Sequence, residues 1–150
     1  MSELTTPINA VLKRKSGEVW STRPDVTVYQ AIELMADKQI GALPVMENGQ
    51  LAGIISERDY ARKIILKGRS SKETAVSEIM SSPVISVSPQ HTVGECMHIV
   101  TENRVRHLPV IEGGRMVGMI SIGDLVNSVI SEQEVTIRQL QAYISGAATT

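Results

Sequence analysis

The sequence predicts an α+β protein built from two copies of one strand-helix-strand-strand-helix unit. The copies are related by a pseudo-twofold axis, with extra helical segments at the N- and C-terminal ends. Three observations carry this prediction. Residues 19–65 match residues 84–130 without a gap. Inside each copy the apolar spacing changes from helical to strand-like in the same order. The length of 150 residues suits one ordinary domain or two small units, and not a large catalytic domain with a separate cofactor domain.

Each copy is expected to open with a short strand. A helix follows, started by Thr27-Val28-Tyr29-Gln30 in one copy and Thr92-Val93-Gly94-Glu95 in the other. Both are capping boxes, in which Thr and Gln or Glu satisfy free backbone N–H groups. Val28, Ala31, Ile32 and Met35, matched by Val93, Cys96, Met97 and Val100, recur at helical spacing and mark one buried face. Two apolar runs, 42–46 and 51–55, flank Asn48-Gly49, a pair that favours the left-handed dihedrals of a tight hairpin. Gly113-Gly114 stands at the same place in the second copy. The last helix begins after Ser56 or Ser121, and in the first copy it should end near Lys67, where Gly68 supplies a left-handed cap.

Residues 68–74 read as a polar linker and 76–80 as a short amphipathic turn. Residues 131–143, with Val135, Ile137, Leu140 and nearby Ile144, read as a separate helix with one apolar side, and 146–150 as a frayed end. The organisation is therefore an extension at 1–16, repeats at 17–74 and 80–136, and a terminal helix and tail at 137–150. One unit of this size cannot cover both faces of its small sheet, so the two copies are expected to close a shared core.

Composition narrows the function. Hydrophobic residues make up 42% of the chain, yet it has one Trp, three Tyr and no Phe, so the core must be aliphatic. Fifteen basic and 16 acidic residues give a net charge of −1, which attracts no polyanion, and so few aromatics provide no stacking surface for nucleic acid. The single cysteine, Cys96, cannot form an internal disulfide or a multi-cysteine zinc site, and on the helical face it reads as a small buried residue. His91 and His98 have no partners at metal-ligand spacing, and no metal is proposed. The N-terminus lacks a signal-peptide pattern and no run approaches the roughly 20 apolar residues of a membrane span. A cytoplasmic protein without membrane or nucleic-acid partners is expected.

The repeats resemble tandem CBS domains, the paired cystathionine-β-synthase-type modules also called a Bateman module. The resemblance covers residues 19–66 and 84–131. It rests on the Leu-Pro-Val runs at 43–45 and 108–110, the turn glycine, and a Gly-apolar-apolar-Ser-x-x-Asp ending. That ending reads Gly53-Ile54-Ile55-Ser56-Glu57-Arg58-Asp59 and Gly118-Met119-Ile120-Ser121-Ile122-Gly123-Asp124. The resemblance implies a regulatory protein that binds adenosine-containing ligands (AMP, ADP, ATP, NAD or S-adenosylmethionine) between the paired repeats. It further implies a homodimer acting on a target protein in trans.

By the same resemblance, the cleft ending in Ile120, Ser121 and Asp124 uses Trp20, Ile40, Gly41 and Ala42, and the cleft ending in Ser56 and Asp59 uses Ile85, Val105, Arg106 and His107. An ionised Asp59 or Asp124 is an acceptor for both ribose hydroxyls. The helix starts at Ser56 and Ser121 favour phosphate. Arg58, Arg106 and His107 are the cations placed by motif position. Gly123 replaces Arg58 in the other copy and Gly41-Ala42 replaces Arg106-His107, so the clefts should differ in ligand preference. Ser-x-x-Asp is equally a helix cap, and Trp20 is equally a core residue or a base-stacking one. Lys13-Arg14-Lys15 reads as a solvated edge within reach of a phosphate near Trp20. No nucleophile, acid-base or metal set stands at a recognisable spacing, so an enzyme is the less favoured reading, and a dimerisation module without ligand is the other alternative.

Overall fold

The computed structural model describes residues 5–15 and 19–145, apart from the side chains of Glu132 and Ser145. The tail at 146–150, read above as frayed, lies outside the described residues. In chain order the elements are α1 (Ile8–Arg14), α2 (Val28–Lys38), β1 (Ala42–Glu47), β2 (Gln50–Ser56) and α3 (Glu57–Tyr60), which runs on as a π-helical turn (Ala61–Ile65). A 3-10 turn (Val76–Glu78), α4 (Val93–Asn103), β3 (His107–Glu112), β4 (Arg115–Ser121) and α5 (Ile122–Ser145) follow. The chain is α+β, and it divides into two units. One holds the first repeat, through Ser86, with Ile111–Val117. The other holds the N-terminal segment, Val87–Val110 and everything from Gly118 onward.

Local chemistry sets most elements where the sequence places them. Thr27 and Gln30 form a reciprocal capping box at α2, and Thr92 and Glu95 form one at α4. β1 pairs antiparallel with β2, with Leu43 opposite Ile55 and Val45 opposite Gly53. The turn between them holds Asn48 at φ 53° and Gly49 at φ 78°, the left-handed geometry that Asn-Gly accepts. β3 pairs with β4 across Gly113 and Gly114, also at positive φ.

The opening strand of each copy shrinks to a single parallel bridge, Thr22 to Val45 and Val87 to Val110. Prolines account for this. Thr22 N–H donates to the Pro44 carbonyl and Met46 N–H donates to the Thr22 carbonyl. The next bond on either side would need an N–H from Pro44 or Pro24, which neither has. Pro109 and Pro89 impose the same limit around Val87, whose N–H donates to the Pro109 carbonyl.

Each unit has a core of its own. In the first unit Val28, Ala31 and Met35 pack with Leu43, Val45 and Ile55, and Val76 and Ile79 close over them. In the second unit Val93, Cys96 and Val100 pack with Leu108, Val110, Ile120 and Leu125, and Ile8 and Val11 of α1 close over them. The covering segment in each case precedes the other repeat in sequence. Matching bonds hold it: Val28 N–H donates to the Thr74 carbonyl, and Val93 N–H to the Thr6 carbonyl. A fully buried Ile or Val contributes about 1.5–3 kcal/mol relative to exposure, so two such residues per segment supply the layer that the sheet lacks.

The two final helices also differ from expectation. In the first copy α3 has four residues before the π turn, although Gly68 does take a left-handed φ of 65°. In the second copy α5 runs for 24 residues and takes in positions 131–143, which are therefore not a separate helix. Beyond Gly123 this stretch contains no Gly or Pro to stop it, whereas Lys67-Gly68 ends the first copy.

Candidate functional site

Each Ser-x-x-Asp segment stands where a hairpin strand turns into a helix. At the first, Ser56 N–H donates to Asp59 Oδ2 at 2.9 Å, and Asp59 N–H donates to Ser56 Oγ at 3.1 Å. Ser56 Oγ–H also donates to Asp59 Oδ2 at 3.0 Å. At the second, Ser121 N–H donates to Asp124 Oδ2 at 2.8 Å and Asp124 N–H to Ser121 Oγ at 3.2 Å. The capping role is thus realised in both copies. It does not exhaust the carboxylates, since an ionised Asp offers about four lone-pair sites. The aspartate side chains remain 14% and 21% exposed, respectively.

The helix starts are less open to an anion than the sequence implies. Glu57 N–H donates to the Gly41 carbonyl and Ile122 N–H to the Arg106 carbonyl, so the first amide of each helix is taken, and the serine hydroxyl takes the third. These bonds tie the approach to each Leu-Pro-Val strand to the serine turn of its own unit. Ala42 also stands directly opposite Ser56 in the hairpin.

A lysine meets each carboxylate. Lys63 Nζ lies 3.2 Å from Asp59 Oδ1 and donates to the Ile79 carbonyl at 2.8 Å. Lys15 Nζ donates to Asp124 Oδ2 and to the Met119 carbonyl, both at 2.8 Å. Lys15 is therefore not the free solvated edge that the basic run implies. Burial pushes the Asp124 carboxyl up, but the Lys15 and Ser121 hydrogen bonds and the Lys15 charge outweigh it and hold the group below the usual carboxylate range. Burial also drives the His107 imidazole down; the Lys15 and Arg106 charges add to that, and Asp124 opposes it.

The remaining predicted residues divide between the units. Trp20, Ile40, Gly41, Ala42, Ser56, Arg58, Asp59 and Ile85 belong to the first, and Val105, Arg106, His107, Ile120, Ser121 and Asp124 to the second. Trp20 is not core: it is 36% exposed, with Lys38 Nζ 4.2 Å from its ring centroid. Ile85, at the equivalent place, is similarly exposed. Ile40 and Val105 are half-buried, Arg58 is half-buried and Arg106 is exposed. Ile120, at 1% exposure, is committed to the core of its unit.

Sequence reasoning missed both lysines as partners of the aspartates. Lys63 carried a signal, since Asp59-x-x-x-Lys63 is an i,i+4 ion-pair spacing on a helix. Lys15 carried none, because it meets Asp124 only through the fold. Cys96 is buried and desolvation pushes its thiol up to about 11, which suits packing and not nucleophilic chemistry. His91 Nδ1 accepts from Ser88 N–H at 2.9 Å and so braces a turn. Among the described residues no group of three potential ligands converges on a metal position, and no helix is long and apolar enough to cross a membrane.

Comparison with known proteins identifies the family. A CBS domain profile matches residues 9–66 and 76–131. The Arabidopsis thaliana protein named CBS domain-containing protein CBSX3, mitochondrial, is 45% identical over 152 residues, covering 95% of this chain and 73% of that protein. A solved protein with CBS domains from Burkholderia ambifaria MC40-6 is 50% identical, with a TM-score of 0.83 over 85% of this chain and 96% of that one. The fold is also shared with the CBS domain pair of protein MJ0100, solved with 5-methylthioadenosine and S-adenosyl-L-methionine. That pair is 20% identical, with a TM-score of 0.75 over 85% of this chain and 98% of that one. With two profile matches spanning most of its length and these relatives beside it, the chain belongs to the CBS-domain family as a tandem pair.

Proposed function

We propose that this chain is a regulatory module that binds an adenosine-containing ligand of the AMP, ADP, ATP or NAD type, or S-adenosylmethionine. The ligand is held at the Ser-x-x-Asp turns of the two repeats. The carrying observation is the pair of equivalent turns, each presenting a capped, partly exposed and ion-paired carboxylate. Such a group accepts hydrogen bonds from a vicinal diol. Aliphatic residues such as Ile40 and Val105 would flank the adenine, and Arg58, Arg106 and His107 would meet phosphate. The adenosine ligands named for the MJ0100 pair support the same ligand class. Occupancy is read out through a homodimer and a target protein in trans, without catalysis by this chain, in the cytoplasm.

A thermal-shift panel of AMP, ADP, ATP, NAD and S-adenosylmethionine tests this reading. A ligand present at 100 times its dissociation constant stabilises the native state by about 2.7 kcal/mol. Asp124→Ala costs about 1 kcal/mol if the residue only caps α5. On this account it also abolishes or weakens the ligand-induced shift. A module that only dimerises, the reading favoured by the exposed apolar residues of α5, would show no shift with any of the five.

A further inference from the structure

We propose that the two aspartates accept a ribose unequally, Asp124 filling first because Lys63 latches Asp59. The inference rests on the ligand class just proposed and concerns which carboxylate serves it. Asp59 has both oxygens engaged: Oδ2 accepts from Ser56 N–H and Oγ–H, and Oδ1 faces the Lys63 ammonium at 3.2 Å. Lys63 is held a second time by the Ile79 carbonyl, so clearing Oδ1 means moving an ammonium fixed at two points.

Asp124 is arranged differently. Ser121 N–H and Lys15 Nζ both bond the same oxygen, Oδ2. Among the described residues no group bonds Oδ1, which leaves that oxygen to an incoming hydroxyl. The exposures agree, with Asp124 at 21% and Asp59 at 14%. The residue of the second repeat equivalent to Lys63 is Ser128, whose buried hydroxyl has no hydrogen-bond partner among the described residues and carries no charge to Asp124. Helix α5 therefore supplies no latch of its own. Lys15, arriving from another part of the chain, braces the carboxylate by its capped oxygen and leaves the other edge presented.

Calorimetric titration of the whole chain with AMP, ATP and S-adenosylmethionine tests this, using wild type, Asp124→Asn, Asp59→Asn and Lys63→Met. Each Asn variant keeps an amide oxygen that accepts from the serine N–H and the backbone bond to the serine Oγ, so melting temperatures check that both are folded, and Lys63→Met leaves both caps intact. The expected wild-type isotherm has two unequal steps. Asp124→Asn removes the tighter step and its preference for AMP over 2′-deoxy-AMP, and Asp59→Asn leaves both in place. Lys63→Met tightens the weaker step by up to about fivefold, the ratio that corresponds to an exposed ion pair. Two equal steps in wild type, loss of the tighter step in Asp59→Asn, or an unchanged ratio in Lys63→Met overturns the inference. No heat from any of the three ligands overturns the ligand class itself.

Discussion

Asp124 shows how little of a site's electrostatics is local. Its neighbour Ser121 is three residues away, but Lys15 is 109 residues distant and the fold alone brings it to 2.8 Å. A carboxyl held below its ordinary value contributes stability above the unfolded pKa of about 3.9, and that contribution is lost as pH falls through the folded value. His107 also lies below its ordinary value, so it contributes stability above about pH 6.5 that is lost as pH falls toward its folded pKa. Lys15→Met is expected to raise the pKa of both groups, observable by NMR titration. Because the Lys15 side chain is 40% exposed, the stability lost at pH 7 is small, about 0–1 kcal/mol. Unchanged titration of Asp124 would remove Lys15 from the account.

The glycines of the two endings make a second residue-scale test. A Cβ on Gly53 would stand 2.7 Å from Met80 Sδ and 2.9 Å from the Ser81 carbonyl oxygen, whereas the three atoms nearest one on Gly118 all belong to the Leu12 side chain, with Cδ2 at 2.5 Å. A side-chain tip moves more readily than a carbonyl. Gly53→Ala should therefore cost more than Gly118→Ala, within the roughly 1–3 kcal/mol of an overpacked core, as read by urea unfolding. Equal costs would mean that the covering segments yield equally.

At the scale of elements, the parts fixed by near neighbours were legible in advance. Thr27 with Gln30, Thr92 with Glu95, and the Asn48-Gly49 and Gly113-Gly114 turns depend on residues within four positions of each other, and all form as expected. The collapse of the opening strands was also written in Pro24, Pro44, Pro89 and Pro109, but reading it requires knowing which N–H faces which strand. The continuity of α5 was not read because the repeat match ends at residue 130, while the helix runs on across that point.

Along α5, Val126, Ile130, Ile137, Leu140 and Ile144 are exposed at spacings of three, four or seven residues. Such a row is the side on which a second copy packs in the proposed homodimer. Leu140→Glu is expected to shift the mass measured by light scattering to that of a monomer while leaving the melting temperature of dilute protein nearly unchanged. A mass indifferent to Leu140→Glu would place any dimer contact elsewhere.

For the whole molecule, the repeat was visible in the sequence but its closure was not. Nothing in Ile8 or Val11 indicates that α1 completes the second repeat, or in Val76 and Ile79 that they complete the first, since these are long-range contacts of ordinary aliphatic residues. The scarcity of aromatics fits this construction, because small aliphatic layers fill each unit and leave the polar Ser-x-x-Asp turns at the strand ends. The Ser-x-x-Asp turns were legible as a motif; of the lysines beside them, Lys63 carried an i,i+4 signal and Lys15 carried none.

The central claim is that those turns hold the ribose of an adenosine ligand. Equilibrium dialysis of radiolabelled AMP and S-adenosylmethionine against wild type and the double variant Asp59→Asn/Asp124→Asn, both shown to be folded by circular dichroism, tests it most directly. The account predicts saturable binding of at least one ligand to wild type and its loss in the double variant. Saturable binding that survives in the folded double variant, or no binding to wild type at all, would contradict it.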